Sequence, residues 1–135
     1  MVRERLATIA LLLGGGTVFL LGAGSLVAPQ AMVKPFGILL SAPPALSEIR
    51  ASHGGMHLGV GSFMLAAVFV ASLRRAGLLL LLLYMAGLAV GRLVSVALDG
   101  APTPLIWGLL GAELILATLA AVALAVKWPT RHDDA

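Results

Sequence analysis

A chain of 135 residues that is 60% hydrophobic and 11% charged, with a mean hydropathy of +1.05, is too apolar for a water-soluble domain, whose apolar share is about 45–50%. Its net charge of +3 and pI near 10.2 come from nine basic residues that gather at the ends of apolar runs, a mark of membrane topology and not of a nucleic-acid surface. Having no cysteine, it is excluded from disulfides, thiolate zinc sites, iron–sulfur clusters and cysteine nucleophiles alike.

In chain order, the first apolar run covers residues 6–27 and is stopped by Pro29. Arg3 and Arg5 precede it as they would a secretory signal, but the run exceeds the roughly 7–15 apolar residues of a signal core and reads as a membrane span. The connector, residues 29–46, carries Pro35-Phe36-Gly37-Ile38-Leu39-Leu40 and Pro43-Pro44. It reads as a short apolar interfacial segment lying on the outer surface or dipping into it, from where it could lid the polar end of the molecule.

The second run extends over residues 47–73, and Arg74-Arg75 is expected to form the tight turn to the third run, 76–98. Asp99-Gly100-Ala101-Pro102-Thr103-Pro104 carries turn chemistry, and a fourth run spans 103–126. Each run reaches the roughly 20 residues that cross a bilayer core. The expectation is an all-α, four-transmembrane-helix bundle, up-down-up-down, forming a single membrane domain over 1–135. Arg3, Arg5, Arg74, Arg75, Lys127 and Arg131 fall on one side and Lys34 on the other, so both termini are assigned to the cytoplasm and the chain to the inner (cytoplasmic) membrane, multi-pass. Trp107 and Trp128 suit interfacial anchors at opposite ends.

Gly55 and Gly59 in run two, and Gly87 and Gly91 in run three, are GxxxG pairs. With Gly54 they predict close packing between these two runs.

The ionisable residues that intrude on the runs crowd toward one end. Glu48, Arg50, His53 and His57 open run two, Arg92, Ser95 and Asp99 close run three, and Glu113 lies inside run four. A charge in hydrocarbon costs about 2.5 kcal/mol or more, so such groups face a bundle interior, pair, and mark a functional site. At about 1.5 Å per residue, Arg92 and His57 lie roughly 10 Å below the outer end and Glu113 roughly 14 Å. On an ideal helix Arg50, His53 and His57 share a narrow arc and Glu48 points away; Arg92, Ser95 and Asp99 share a face at spacings of three and four. The expectation is an Arg92–Glu113 ion pair from run three to run four, with His53 and His57 nearby and Glu48, Arg50 and Asp99 at the mouth. Two roles stay open for that pair, a lock between helices and a ligand contact, while Arg50 and Asp99 also suit snorkelling anchors.

His53 and His57 form an HxxxH pair, a spacing that can hold zinc with Glu113 as a third ligand. Two histidines without a third ligand nearby in sequence assign no metal, and no cofactor is expected. There is no P-loop, GxSxG elbow, HExxH or dinucleotide fingerprint, so the reading leans away from an enzyme. Tyr84 is expected to bond across helices, and His132 lies in a polar tail.

The stretch Ser47-Glu48-Ile49-Arg50-Ala51-Ser52-His53-Gly54-Gly55-Met56-His57-Leu58-Gly59-Val60-Gly61, then Gly91-Arg92-Leu93-Val94-Ser95 with Asp99-Gly100, then Glu113-Leu114, resembles a family of small four-helix bacterial integral membrane proteins known only as a domain of unknown function. The resemblance spans almost the whole chain. It implies four crossings and groups Glu48, Arg50, Gly54, Gly55, Arg92, Asp99 and Glu113 as the family's characteristic positions; it implies no reaction. His53 departs from it, since that position resembles Tyr more often, which argues against an obligatory metal role.

Two functional classes remain. One is a binding or accessory/scaffold protein with a polar intramembrane pocket open to the non-cytoplasmic side, its partners being the lipid bilayer, a lipid or small amphiphile, and a larger membrane protein or a second copy; nucleic acid is not among them. The other is a small proton-coupled transporter or membrane-embedded enzyme using Glu113, Arg92 and His57. Four short helices without an inverted repeat are small for a transporter, which favours the first.

Overall fold

The computed structural model describes residues 2–126, and those residues are helical with short connectors and no strand. Lys127, Trp128, Arg131 and His132 lie outside the described residues. Helix α1 covers Val2–Val27, α2 Pro29–Val33, α3 Pro43–Ile49, α4 Met56–Phe69, α5 Arg74–Asp99 and α6 Pro104–Ala125. Three helical stretches, Glu4–Val27, Ala71–Asp99 and Pro104–Ala125, are long and apolar enough to cross a membrane, with mean hydropathies of 2.0, 2.1 and 2.1. Their outward faces carry large apolar side chains such as Leu13, Leu20, Leu83 and Ile115 in exposed positions, more apolar surface than water tolerates on a small monomer.

The second run differs from the uninterrupted α-helix expected over 47–73. Helix α3 begins earlier, at Pro43, and passes into a π-helical turn over Arg50–Gly55 before α4. The backbone stays in the right-handed helical region through Ile49, Arg50, Gly55 and Met56, so residues 43–69 are one helical rod with one widened turn. The rod ends at Phe69, and the turn to α5 is Val70 with a 3₁₀ turn over Ala71–Leu73. Arg74 and Arg75 therefore open α5 instead of making the turn; an Arg74 terminal nitrogen donates to the Val68 carbonyl at 3.0 Å, meeting one of the unpaired carbonyls at the end of α4.

The hydrophobic core occupies one half of the molecule, the half holding the α4–α5 turn. Ala7, Ala10 and Leu11 of α1 meet Met64 and Ala67 of α4, Leu78 and Leu81 of α5, and Ala117, Ala120 and Ala123 of α6. Alanine at three-residue spacing on α6 lets the helix backbones close up. The most extensive helix contacts are α1 with the 43–69 rod and α5 with α6. At the far end, Gly37 and Gly100 take positive φ of 75° and 97° and turn the chain.

Glycine marks the tightest contact, but between other helices than the GxxxG spacing predicts. Carbon added at Gly59, Gly87 or Gly91 would meet nothing within 4 Å, and at Gly55 only the Arg50 carbonyl at 3.8 Å. The close approach is instead α1 on the rod, through Gly15 and Gly22 from one side and Gly54 and Gly61 from the other, two pairs each seven residues apart. A methyl at Gly22 would lie 2.5 Å from the Leu58 nitrogen, and one at Gly61 2.5 Å from the Phe19 nitrogen. Seven residues is two helical turns, so such a pair keeps one face flat over the whole contact.

Candidate functional site

A single stripe on α5 locates the site. Leu78, Leu81, Met85, Leu88, Arg92, Ser95 and Asp99 succeed each other at alternating spacings of three and four, which holds them on one helical face. Leu78 and Leu81 are fully buried and Met85 is 3% exposed, whereas Leu88 is 39% exposed and Ser95 and Asp99 are open. The face that packs into the core thus continues outward as an uncovered, increasingly polar wall.

Arg92 and Glu113 meet at the base of that wall. The Arg92 Nε donates to both Glu113 carboxylate oxygens, at 2.8 and 2.9 Å, and the side chains are 22% and 7% exposed. An ion pair this well covered serves either role left open by the sequence: removing one member strands a buried charge, while the guanidinium keeps further donors for a ligand. One turn outward on the stripe, Ser95 Oγ donates to Asp99 Oδ2 at 2.8 Å, so Asp99 is turned back along α5. A groove of about 430 Å³ runs between the outer parts of α5 and α6, lined by Gly87, Leu88, Gly91, Arg92, Ser95 and Ile106 among others. Its volume falls within the roughly 300–1,000 Å³ of small-molecule sites.

On the rod, the π turn organises the other polar residues. A π turn replaces i→i+4 bonds by i→i+5 bonds, seen where the Met56 amide donates to the Ala51 carbonyl. Side chains serve the loosened carbonyls: Ser52 Oγ donates to Glu48 O at 2.7 Å, and His57 Nδ1 donates to Ser52 O at 3.3 Å. With its one proton on Glu48 O, the Ser52 hydroxyl accepts from His53 Nδ1 at 2.9 Å. Both imidazoles are thereby held with hydrogen on Nδ1, a tautomer assigned by these partners. The two rings stack at 5.6 Å and 13°, and Tyr84 crosses from α5 to meet His57 edge-on at 5.8 Å and 89°, so the expected crossing by Tyr84 is a ring contact.

Several sequence expectations are redirected. Arg50 does not share the face of His53 and His57: its Nε donates to the Leu26 carbonyl at 3.1 Å, closing the last turn of α1, where cations are favoured by the helix dipole. The cause is the widened turn, because one additional residue rotates the helix before it by about 100° relative to the helix after it. The side chain of Glu48 is exposed, and it is the backbone carbonyl of that residue that joins the network. The connector packs on α1 and α3, with Met32 against Gly24. Gln30 staples it, donating to Ile38 O at 3.1 Å and accepting from the Leu40 amide at 2.7 Å. Among the described residues no three His, Asp or Glu side chains assemble as metal ligands, so Glu113 does not complete the His53–His57 pair. Trp107 is half-exposed near the start of α6.

The π turn and the α1 contact are features the sequence reading missed. The signals were present as Gly54-Gly55 between Ser52 and His57, which lowers the side-chain cost of a widened turn, and as the seven-residue glycine spacing on two runs.

Comparison with known proteins returns no match among curated proteins and none among solved structures. Residues 6–124 match the family model described as Domain of unknown function (DUF4345), and the chain belongs to that family.

Proposed function

We propose that this is a four-crossing protein of the bacterial inner membrane, both termini cytoplasmic, that binds a small ligand in a polar cleft open to the non-cytoplasmic side and acts as a binding or accessory protein. The carrying observation is the Arg92–Glu113 pair at 2.8 Å, at the level where the α5 stripe stops being covered by the core. The rod over residues 43–69 supplies the fourth crossing: its α3, π and α4 parts contain seven, six and fourteen residues, about 40 Å of helix at 1.5 Å per residue. The basic residues Arg5, Arg74 and Arg75 at the core end, against Lys34 at the other, support the orientation. A binding role suits side chains that accept, donate and stack.

The lack of native cysteine makes the cleft directly testable. Ser95→Cys in spheroplasts is expected to react with a membrane-impermeant maleimide, and Ala120→Cys, in the packed half, is not. Labelling of Ser95→Cys by a lipid-soluble reagent alone would refute the outward-opening cleft.

A further inference from the structure

We propose that the groove between the outer parts of α5 and α6 seats an amphiphile with an acyl chain and one anionic head group, the head on the terminal nitrogens of Arg92 and the chain along Gly87 and Gly91. This rests on the outward-opening cleft proposed above and names its ligand class.

The ion pair is lopsided in a way that leaves a binding surface. Arginine usually meets a carboxylate through two parallel N–H···O bonds, yet here Nε alone serves both Glu113 oxygens, at 2.8 and 2.9 Å. Among the described residues the two terminal nitrogens have no hydrogen-bond partner, although the side chain is only 22% exposed. Glu113 fixes the guanidinium, and the four remaining N–H groups form a planar fork of the shape that clasps a carboxylate or a phosphate. Toward the core from this fork the wall turns apolar. Gly87 and Gly91 have nothing within 4 Å of where a Cβ would stand, and Leu88 lies beside them in the groove of about 430 Å³, while Val96, Pro102 and Ile106 line its outer part. Such a channel is a poor seat for a hydrated ion and suits methylenes. Asp99 does not oppose the anion at close range, being seven residues farther out, bonded to Ser95 and in a position exposed to the aqueous side, where charges are screened.

The test places the full chain in phosphatidylcholine nanodiscs and titrates dodecyl phosphate, dodecanol and inorganic phosphate, with bound ligand measured by native mass spectrometry. Dodecyl phosphate is expected to bind at least tenfold more tightly than either of the others. The double variant Arg92→Met/Glu113→Leu, which leaves no stranded charge, is expected to lose that preference while binding dodecanol as before. Arg92→Lys, which keeps the charge and loses the fork, is expected to weaken dodecyl phosphate several-fold and serves if the double variant does not fold. Equal binding of dodecyl phosphate and dodecanol, or an unchanged preference in the variants, overturns the anionic head group while the cleft still stands on Ser95→Cys labelling. Inorganic phosphate binding as tightly as dodecyl phosphate overturns the acyl chain.

Discussion

Substituting alanine at Gly22 and at Gly91 separates the packing observed from the packing that motif spacing suggests. A methyl at Gly22 would stand 2.5 Å from the Leu58 nitrogen, 2.9 Å from the Gly54 carbonyl oxygen and 3.0 Å from the His57 carbonyl carbon. All three are backbone atoms, so no side chain can rotate away. Ordinary contact begins near 3.4 Å, so α1 and the rod must part by about 0.9 Å along that direction. Overpacking of this kind typically costs 1–3 kcal/mol, and alanine's higher helix propensity returns about 0.5–1 kcal/mol. Gly22→Ala is therefore expected to destabilise by about 1–2 kcal/mol. Gly91, with nothing within 4 Å, keeps only the propensity gain, so Gly91→Ala is expected to be neutral or stabilising by up to about 1 kcal/mol. Reversible unfolding in mixed detergent micelles, monitored by circular dichroism, measures both. Only Gly22→Ala is to be destabilised; a destabilised Gly91→Ala beside an unaffected Gly22→Ala would restore the GxxxG interface and refute the α1 contact.

A double-mutant cycle on the buried pair should be strongly non-additive. Arg92→Met alone strands Glu113 and should cost about 3–5 kcal/mol, whereas Arg92→Met/Glu113→Leu should lie near the parent; additive losses in unfolding experiments would mean that the two groups do not interact. Arg50→Leu removes the donor to the Leu26 carbonyl and should loosen the end of α1 by about 0.3–1 kcal/mol. The expected sign is faster amide exchange around residues 24–28 with the α5–α6 half unaffected, and uniform acceleration across the protein would contradict a local cap. Gly100 sits at φ 97° and ψ −171°, a region essentially confined to glycine, so Gly100→Ala should cost about 1–3 kcal/mol; an unchanged unfolding midpoint would show that the turn is not held there.

The segments were largely legible in the sequence because their signal is local. Apolar runs of spanning length, Pro29 as a stop and the turn chemistry over residues 99–104 are all read from neighbouring residues, and the structure puts α1, α5 and α6 within a few residues of the expected bounds. The Arg92–Glu113 pair was also legible, since the cost of an unpaired charge in hydrocarbon leaves few alternatives and depth along each run can be counted. Ser95 and Asp99 share a face in sequence and do hydrogen-bond in space.

What only the tertiary structure decided is which faces meet. Glycine spacing says that a helix can be approached closely but not by which neighbour; α1 takes that place because Gly15 and Gly22 offer a matching flat face to Gly54 and Gly61. The register of the rod was equally hidden. A π turn is stable only where its loosened carbonyls find donors, and Ser52 and His57 supply them through contacts across a turn that an ideal 3.6-residue period does not contain. That one additional residue sends Arg50 to the end of α1 and leaves His53 and His57 stacked on another face. The sequence by itself determined that the intruding ionisable groups gather toward one end; three-dimensional packing, by placing the main core cluster in the opposite half, decided that the outer face of α5 would stand exposed.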